Sequence, residues 1–149
     1  MPVPVIVDGY NLLYARGEAP AAASRAALVR DLVLWAQARR RRVVLVFDAW
    51  AGGTREAVSQ AHGPVTVWYT RAGERADAFI VRWVGEHPEA VVVTSDREVQ
   101  QGAHRRGAAV VDAERFAARL EGGEAAPDET RPASGPRPRG QRAAWLRGL

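Results

Sequence analysis

Four aspartates stand at or just beyond apolar runs in this chain. Asp8 closes "VPVIVD", Asp48 closes "VVLVFD", Asp96 follows "AVVVTS", and Asp77 lies in "GERADAFI". Clustered carboxylates repel one another, and their pKa values rise unless a cation compensates. A hard divalent ion, Mg²⁺ or Mn²⁺, takes oxygen ligands and keeps several waters, which makes it the natural partner of such a set. Such an ion can generate a hydroxide nucleophile and neutralise charge on a phosphoryl group in transfer. In that setting Gly9 lets backbone and phosphate approach closely. Asn11, one helical turn beyond Asp8, can orient a ligand water or a phosphate. Each acid also has a simpler use. Asp8 and Asp48 can be turn or cap residues, Asp77 falls in a first helical turn where the dipole favours acids, and Asp96 lies in the capping box "SDRE", with Ser95 as a cap. Four acids converging on one edge favour a site over four separate caps. His62, His87 and His104 lack the spacing of metal ligands.

That convergence depends on the elements that carry the acids. Apolar runs of strand length occur at Val3–Val7, Val43–Phe47, Val65–Tyr69, Ala90–Thr94 and Ala108–Val111. They are continuous rather than alternating, as expected for strands covered on both faces. Helical patterns separate them. Ser24 is the expected N-cap of a helix carrying Leu28, Leu32 and Trp35 on one face. Ala76, Phe79, Ile80, Trp83 and Val84 follow helical spacing up to His87-Pro88. "SDRE" opens a short helix, and Asp112 is the expected N-cap of a last one. Residues 51–63 read as a loop with one or two helical turns.

Strand alternating with helix implies an α/β fold, a three-layer Rossmannoid arrangement around a central parallel sheet. Ligands bind such sheets beyond the carboxyl ends of the strands. Asp8, Asp48 and Asp96 therefore share one edge, and Asp77 opens a helix starting there. If the Ala90–Thr94 strand neighbours the first, Asp8 and Asp96 flank the switch point. The run Arg39–Arg42 falls at the opposite edge, as a solvated helix C-terminus. Arg16, Arg55, Arg71, Arg75 and Arg97 are near the acids and are candidates for phosphate contacts. Tyr10 and Trp50 are candidates for base stacking or for the core.

The chain has 149 residues, and 47% are hydrophobic, enough for one domain with a sizeable core. The absence of cysteine excludes a disulfide framework, a Cys-ligated zinc site and a thiol nucleophile. All 21 basic residues are arginine, and the net charge of +4 favours an anionic partner such as nucleic acid. No apolar run is long enough for a membrane span and the start has no basic n-region, so a cytoplasmic protein is expected. From Gly122 the composition turns to Gly, Pro and charge, which predicts a folded domain over residues 1–121 and a flexible tail over 122–149. The closing "AAWLRGL" regains apolar character. Nothing in the sequence points to an oligomeric state.

Four stretches in this order, "VDGYNLL", "VVLVFDA", "ERADAFI" and "VVVTSDREVQ", resemble the YacP-like branch of the NYN domains, relatives of the PIN-domain nucleases. The resemblance covers about residues 3 to 121. It implies a PIN-like fold and metal-dependent endoribonuclease activity, and for the best-known members cleavage of mRNA on the translating ribosome. RNA, and with it the ribosome, are the partners this implies. By motif, Asp8 matches the family's first acid and Asn11 its companion. Asp77 and Glu74 match the E-x-A-D stretch, Asp96 the acid of T-S-D, and Asp48 that of F-D-A. The ending "WLRGL" is similar to the family's basic C-terminus, whereas the segment before it is shorter and richer in proline.

The leading expectation is thus hydrolysis of an RNA phosphodiester, with Asp8, Asp77 and Asp96 on the ion and Asn11 assisting. Asp48, Glu74 and Ser95 are additional candidates. The alternative is a non-catalytic RNA- or ribosome-binding module on the same fold. A phosphatase of the haloacid-dehalogenase type needs D-x-D after the first strand, where this chain has Asp8-Gly9-Tyr10. A nucleotide-binding domain would need a glycine-rich phosphate loop, which is absent.

Overall fold

In the computed structural model, which describes residues 3–49 and 54–122, the apolar runs pair into one sheet. Among the described residues the strands are β1 (Val5–Asp8), β2 (Val43–Phe47), β3 (Val58–His62), β4 (Val65–Tyr69), β5 (Val91–Val93) and β6 (Ala109–Val111). The helices are α1 (Gly9–Ala15), α2 (Ala22–Arg39), α3 (Ala76–Glu86), α4 (Arg97–Arg105) and α5 (Ala113–Gly122). Strand order is β3-β4-β2-β1-β5-β6. Every pairing is parallel except β3 with β4. No helix among the described residues is long and apolar enough to cross a membrane.

Strand side chains alternate between faces, and each face has its own core. Val5, Val7, Leu45, Phe47, Val67 and Val93 pack under α1, α2 and α5. Ile6, Val46 and Val92 pack with Phe79, Ile80 and Val84 of α3 and with Val99 of α4. Burial on both faces explains why these runs do not alternate in sequence. β1 is central, with β2 on one side and β5 on the other. Its carboxyl end is therefore the switch point, where the crossovers diverge and leave a crevice.

Three local expectations change. The stretch 51–63 contains no helical turn among its described residues. Val58–His62 is a strand, joined to β4 by the two-residue turn Gly63-Pro64. Gly63 has φ 60°, the left-handed value a tight hairpin needs at its first central position. All five β3 residues are exposed, so no apolar pattern marked the strand. As an antiparallel edge it makes the sheet mixed rather than wholly parallel. The first long helix begins at Ala22 with Ala21 at the N-cap, not at Ser24. The last helix follows Asp112 as expected, but the Asp112 carboxylate accepts from the Gln100 amide. The Ala113 N–H goes to Ser95 Oγ instead.

α1 follows β1 without a connecting residue, and this abrupt turn explains Gly9. A Cβ at Gly9 would lie 2.4 Å from the Phe47 ring and 2.8 Å from the Val46 carbonyl oxygen. Close packing of α1 against β2, rather than room for a phosphate, is what requires glycine. The carbonyl belongs to a paired strand and cannot move aside. Gly9→Ala is therefore expected to destabilise the fold by about 2–3 kcal/mol, as overpacking does. Urea unfolding of the two proteins checks this, and equal midpoints would show that α1 can shift freely.

Candidate active site at the carboxyl edge

Alternation along the strands sends four polar residues to the same face of this edge. Asp8 follows Val7 on β1, Asp48 follows Phe47 on β2, Thr70 follows Tyr69 on β4, and Thr94 follows Val93 on β5. Val7, Phe47, Tyr69 and Val93 all pack toward α1 and α2, so the next residue in each strand turns toward α3 and α4. Val7 pairs with Val93 and Phe47 with Tyr69, which sets Asp8 level with Thr94 and Asp48 level with Thr70.

Asp8 is the most strongly perturbed carboxyl in the cleft. Burial raises it from 3.8 to about 6. The Thr94 hydroxyl, which donates to Asp8 Oδ2 at 3.2 Å, pulls it down. The Asn11 N–H also pulls it down, though the Asp8 side chain makes no regular capping bond to α1. The negative charges of Asp48 and Asp96 push it up again. Repulsion among these acids thus exists, but loss of water at the end of a central strand outweighs it.

The other predicted residues divide by what their side chains hold. Asp48 Oδ1 accepts the Ala76 N–H and so caps α3 from across the cleft. Asp96 is the N-cap of α4, and its Oδ1 accepts from Glu98 N at 2.9 Å and Val99 N at 3.3 Å. Ser95, read from sequence as that cap, instead donates to Glu114 of α5 and takes the Ala113 N–H. Its hydroxyl holds the Glu114 carboxyl below the usual range. Asn11 Oδ1 accepts the Ser95 N–H at 2.7 Å, tying the β1–α1 turn to the β5–α4 turn. Asp77 bonds to the Ala78 N–H at 2.7 Å and lies 3.6 Å from Arg75. Glu74 is nearly buried and pairs with Arg82, with Arg71 at 3.8 Å.

The structure therefore brings Asp48 and Asp96 each within electrostatic reach of Asp8, while Asp77 is turned to its own helix start. Arg55, Arg71, Arg75 and Arg97 are exposed on this edge. Arg16 is not free for phosphate, since its guanidinium is buried against Asp31 at 2.8 Å and Glu18 at 3.6 Å. Tyr10 packs on Phe47 at 4.8 Å between ring centres. Trp50 and the tail beyond Gly122 lie outside the described residues. The donor set suits a hard divalent cation, being all oxygen and including a carboxyl whose ionisation burial opposes. Among the described residues, no three His, Asp or Glu side chains are already arranged to hold one.

Thr70 and Thr94 were missed from the sequence. Both are buried. Thr94 Oγ1 also accepts the Asp96 N–H at 3.0 Å, and Thr70 Oγ1 accepts from Ala49 N at 3.1 Å while donating to Glu74 O at 2.7 Å. The available signal was their place directly after an apolar run, in phase with Asp8 and Asp48.

Ionised Asp8 opposes folding, because its folded pKa lies above its unfolded one. The penalty is absent below about pH 4, where Asp8 is protonated in both states. It grows as pH rises to about 6 and is complete above that, amounting to roughly 3 kcal/mol. Asp8→Asn removes the charge. Without divalent ions its melting temperature is expected to exceed that of the wild type by several degrees near pH 8, the gain shrinking toward about pH 4. Thermal melts in EDTA across this range check the sign. A variant less stable at the higher pH would show that the Asp8 hydrogen bonds outweigh its desolvation.

Known proteins can be set beside this geometry. A family model described as "YacP-like NYN domain" matches residues 5–141, running past Gly122 into the segment read as a tail. The fold is similar to a crystal structure of Rae1 (YacP) from Bacillus subtilis, with TM-score 0.64 and 23% identity over 87% of this chain and 79% of that one. A tryptophan-to-leucine variant of the same protein gives TM-score 0.62 and 21% identity over 96% of this chain and 91% of that one. No curated protein matches the sequence.

Proposed function

This chain belongs to the YacP-like NYN domain family, and we propose that it is a divalent-metal-dependent endoribonuclease acting at the carboxyl edge of its sheet. The family indicates a ribonuclease-type function. The observation that carries the finer reading is the place of Asp8, which ends the central strand at the switch point, level with Thr94 and near Asp48 and Asp96, with burial raising it to about 6. A cation would offset both the loss of water around the Asp8 carboxylate and the smaller repulsion from Asp48 and Asp96.

The residues have distinct tasks in this reading. Asp8 and Asp96 would hold Mg²⁺ or Mn²⁺, with Asp77 as a third ligand once its carboxylate turns from Arg75. When bound, the ion supplies charge neutralisation at the scissile phosphate and an activated water. Asp48 is a positioning residue, since its bond to Ala76 N fixes the start of α3 and hence the place of Asp77. Asn11 is likewise a positioning residue, and through Ser95 N it holds the turn that presents Asp96. The exposed Arg55, Arg71, Arg75 and Arg97 would draw the RNA backbone to the edge. mRNA on the ribosome is the substrate we favour, as the resemblance of the four motifs to the YacP-like NYN family implies.

One observation favours the second reading, a binding module without turnover. The described acids are not pre-arranged as a metal cage. A cleavage assay separates the two. Asp8→Asn and Asp96→Asn are expected to stay folded and to cut labelled RNA at least ~100-fold more slowly in Mg²⁺ or Mn²⁺, with ribosomes or without. RNA binding with no cleavage by the wild type would support the binding module. Wild-type rates in both variants would leave these acids as helix caps.

A further inference from the structure

We propose that the groove between α2 and the β4–β3 edge receives an unpaired base of single-stranded RNA, next to the phosphodiester that is cut. This rests on the ribonuclease reading and adds where the substrate strand runs. The groove has a volume of about 640 Å³. It lies where α2 runs beside β4, next to β3, whose residues are all exposed. Val29 and Val33 of α2 face Val67 and Tyr69 of β4 across it. Gln60 pairs with Val67, so it stands on the same face of the sheet, and Gln37 closes the groove from α2. Apolar walls and a tyrosine suit the faces of a flat ring, and the Gln60 amide, both donor and acceptor, suits its edge.

Charge selects the occupant. Among the described residues, the ionisable side chains at the groove, besides Tyr69, are Arg25, Arg30 and His62, and no Asp or Glu lines it. RNA offers both parts at once, a base for the walls and phosphates for the arginines. The position fits as well. Tyr10 lies two residues after Asp8, and its hydroxyl accepts from Arg25 at 3.4 Å. Tyr10 packs on Phe47, the residue before Asp48, and Phe47 stacks on Tyr69 at 5.7 Å. One end of the groove, at Arg25 and Tyr69, thus lies at the edge that carries the acids, and the other, at Gln37 and Gly63, lies at the opposite edge. A strand crossing that edge would set a phosphate at Asp8 and Asp96 and an adjacent base in the groove.

The test measures binding apart from cleavage, by fluorescence anisotropy of a short unstructured RNA in EDTA. Ala26→Trp fills the groove from an exposed helix position, and Arg25→Gln with Arg30→Gln removes its charge. Both are expected to weaken binding about tenfold or more, the loss of one stacked base or its phosphate contacts. Arg105→Gln, on α4 beneath the other face, is expected to bind as the wild type does. Photocrosslinking of 4-thiouridine RNA to the unaltered protein is expected to mark residues 22–37 and 58–69. Unchanged affinity in both groove variants, with crosslinks elsewhere, would overturn the groove; if Asp8-dependent cleavage persists, the ribonuclease reading stands. Ala26→Trp that disrupts self-association in sedimentation but not RNA binding would assign the groove to a second copy and likewise overturn it. A wild type that neither binds nor cuts RNA would remove both readings.

Discussion

The Thr94 hydroxyl donates to Asp8 at 3.2 Å while accepting the Asp96 N–H at 3.0 Å. A hydroxyl can do both because it carries one proton and two lone pairs. The rest of the carboxyl edge is arranged around this contact. Asp8 ends a strand paired on both sides, so its carboxylate cannot be fully hydrated and needs partners within the protein. Thr94 supplies one, and in doing so fixes the turn in which Asp96 sits. The acid whose pKa burial raises and the acid that caps α4 are thereby held by one atom. Burial still wins over this bond, which is why Asp8 remains raised to about 6.

The same device recurs around the cleft. Turns at strand ends have backbone N–H groups that no ladder or helix satisfies, and short polar side chains from neighbouring turns take them. Asn11 accepts from Ser95 N, Asp48 from Ala76 N, Thr70 from Ala49 N, and Ser95 from Ala113 N. These bonds join segments far apart in the chain into one rim. A rim held by its own side chains fixes the turns from which Asp8, Asp48 and Asp96 project. Several residues that look catalytic by motif therefore carry a structural bond too, so under the proposed reading ion binding and rim stability would be coupled at this edge.

Much of this was legible in the sequence because burial leaves a pattern. The strands at Val43–Phe47 and Val65–Tyr69 have the bounds that their apolar runs predicted, and α3 stops at Glu86 before His87-Pro88. Asp8, Asp48 and Asp96 could be placed on one edge, since strand direction alone decides that in a parallel sheet. β3 was illegible for the converse reason. Val58–His62 is exposed along its length, and an exposed edge strand needs no apolar run. Its remaining signal was the Gly63-Pro64 turn, a matter of backbone conformation rather than hydrophobicity.

Partners were harder to read than places. The sequence by itself determined the α/β alternation, the edge on which the acids fall, and the residue types a hard cation would need. Each of these follows from local pattern and chain direction. Only the tertiary structure decided that Asp96 rather than Ser95 caps α4, that Arg16 is spent on Asp31, and that Asp77 is turned to its own helix. It also supplied the reason for Gly9, a clash with Phe47 that lies 38 residues away in sequence. A side chain's partner depends on which turns the sheet order brings side by side. That order comes from packing the two faces of the sheet, to which residues throughout the chain contribute.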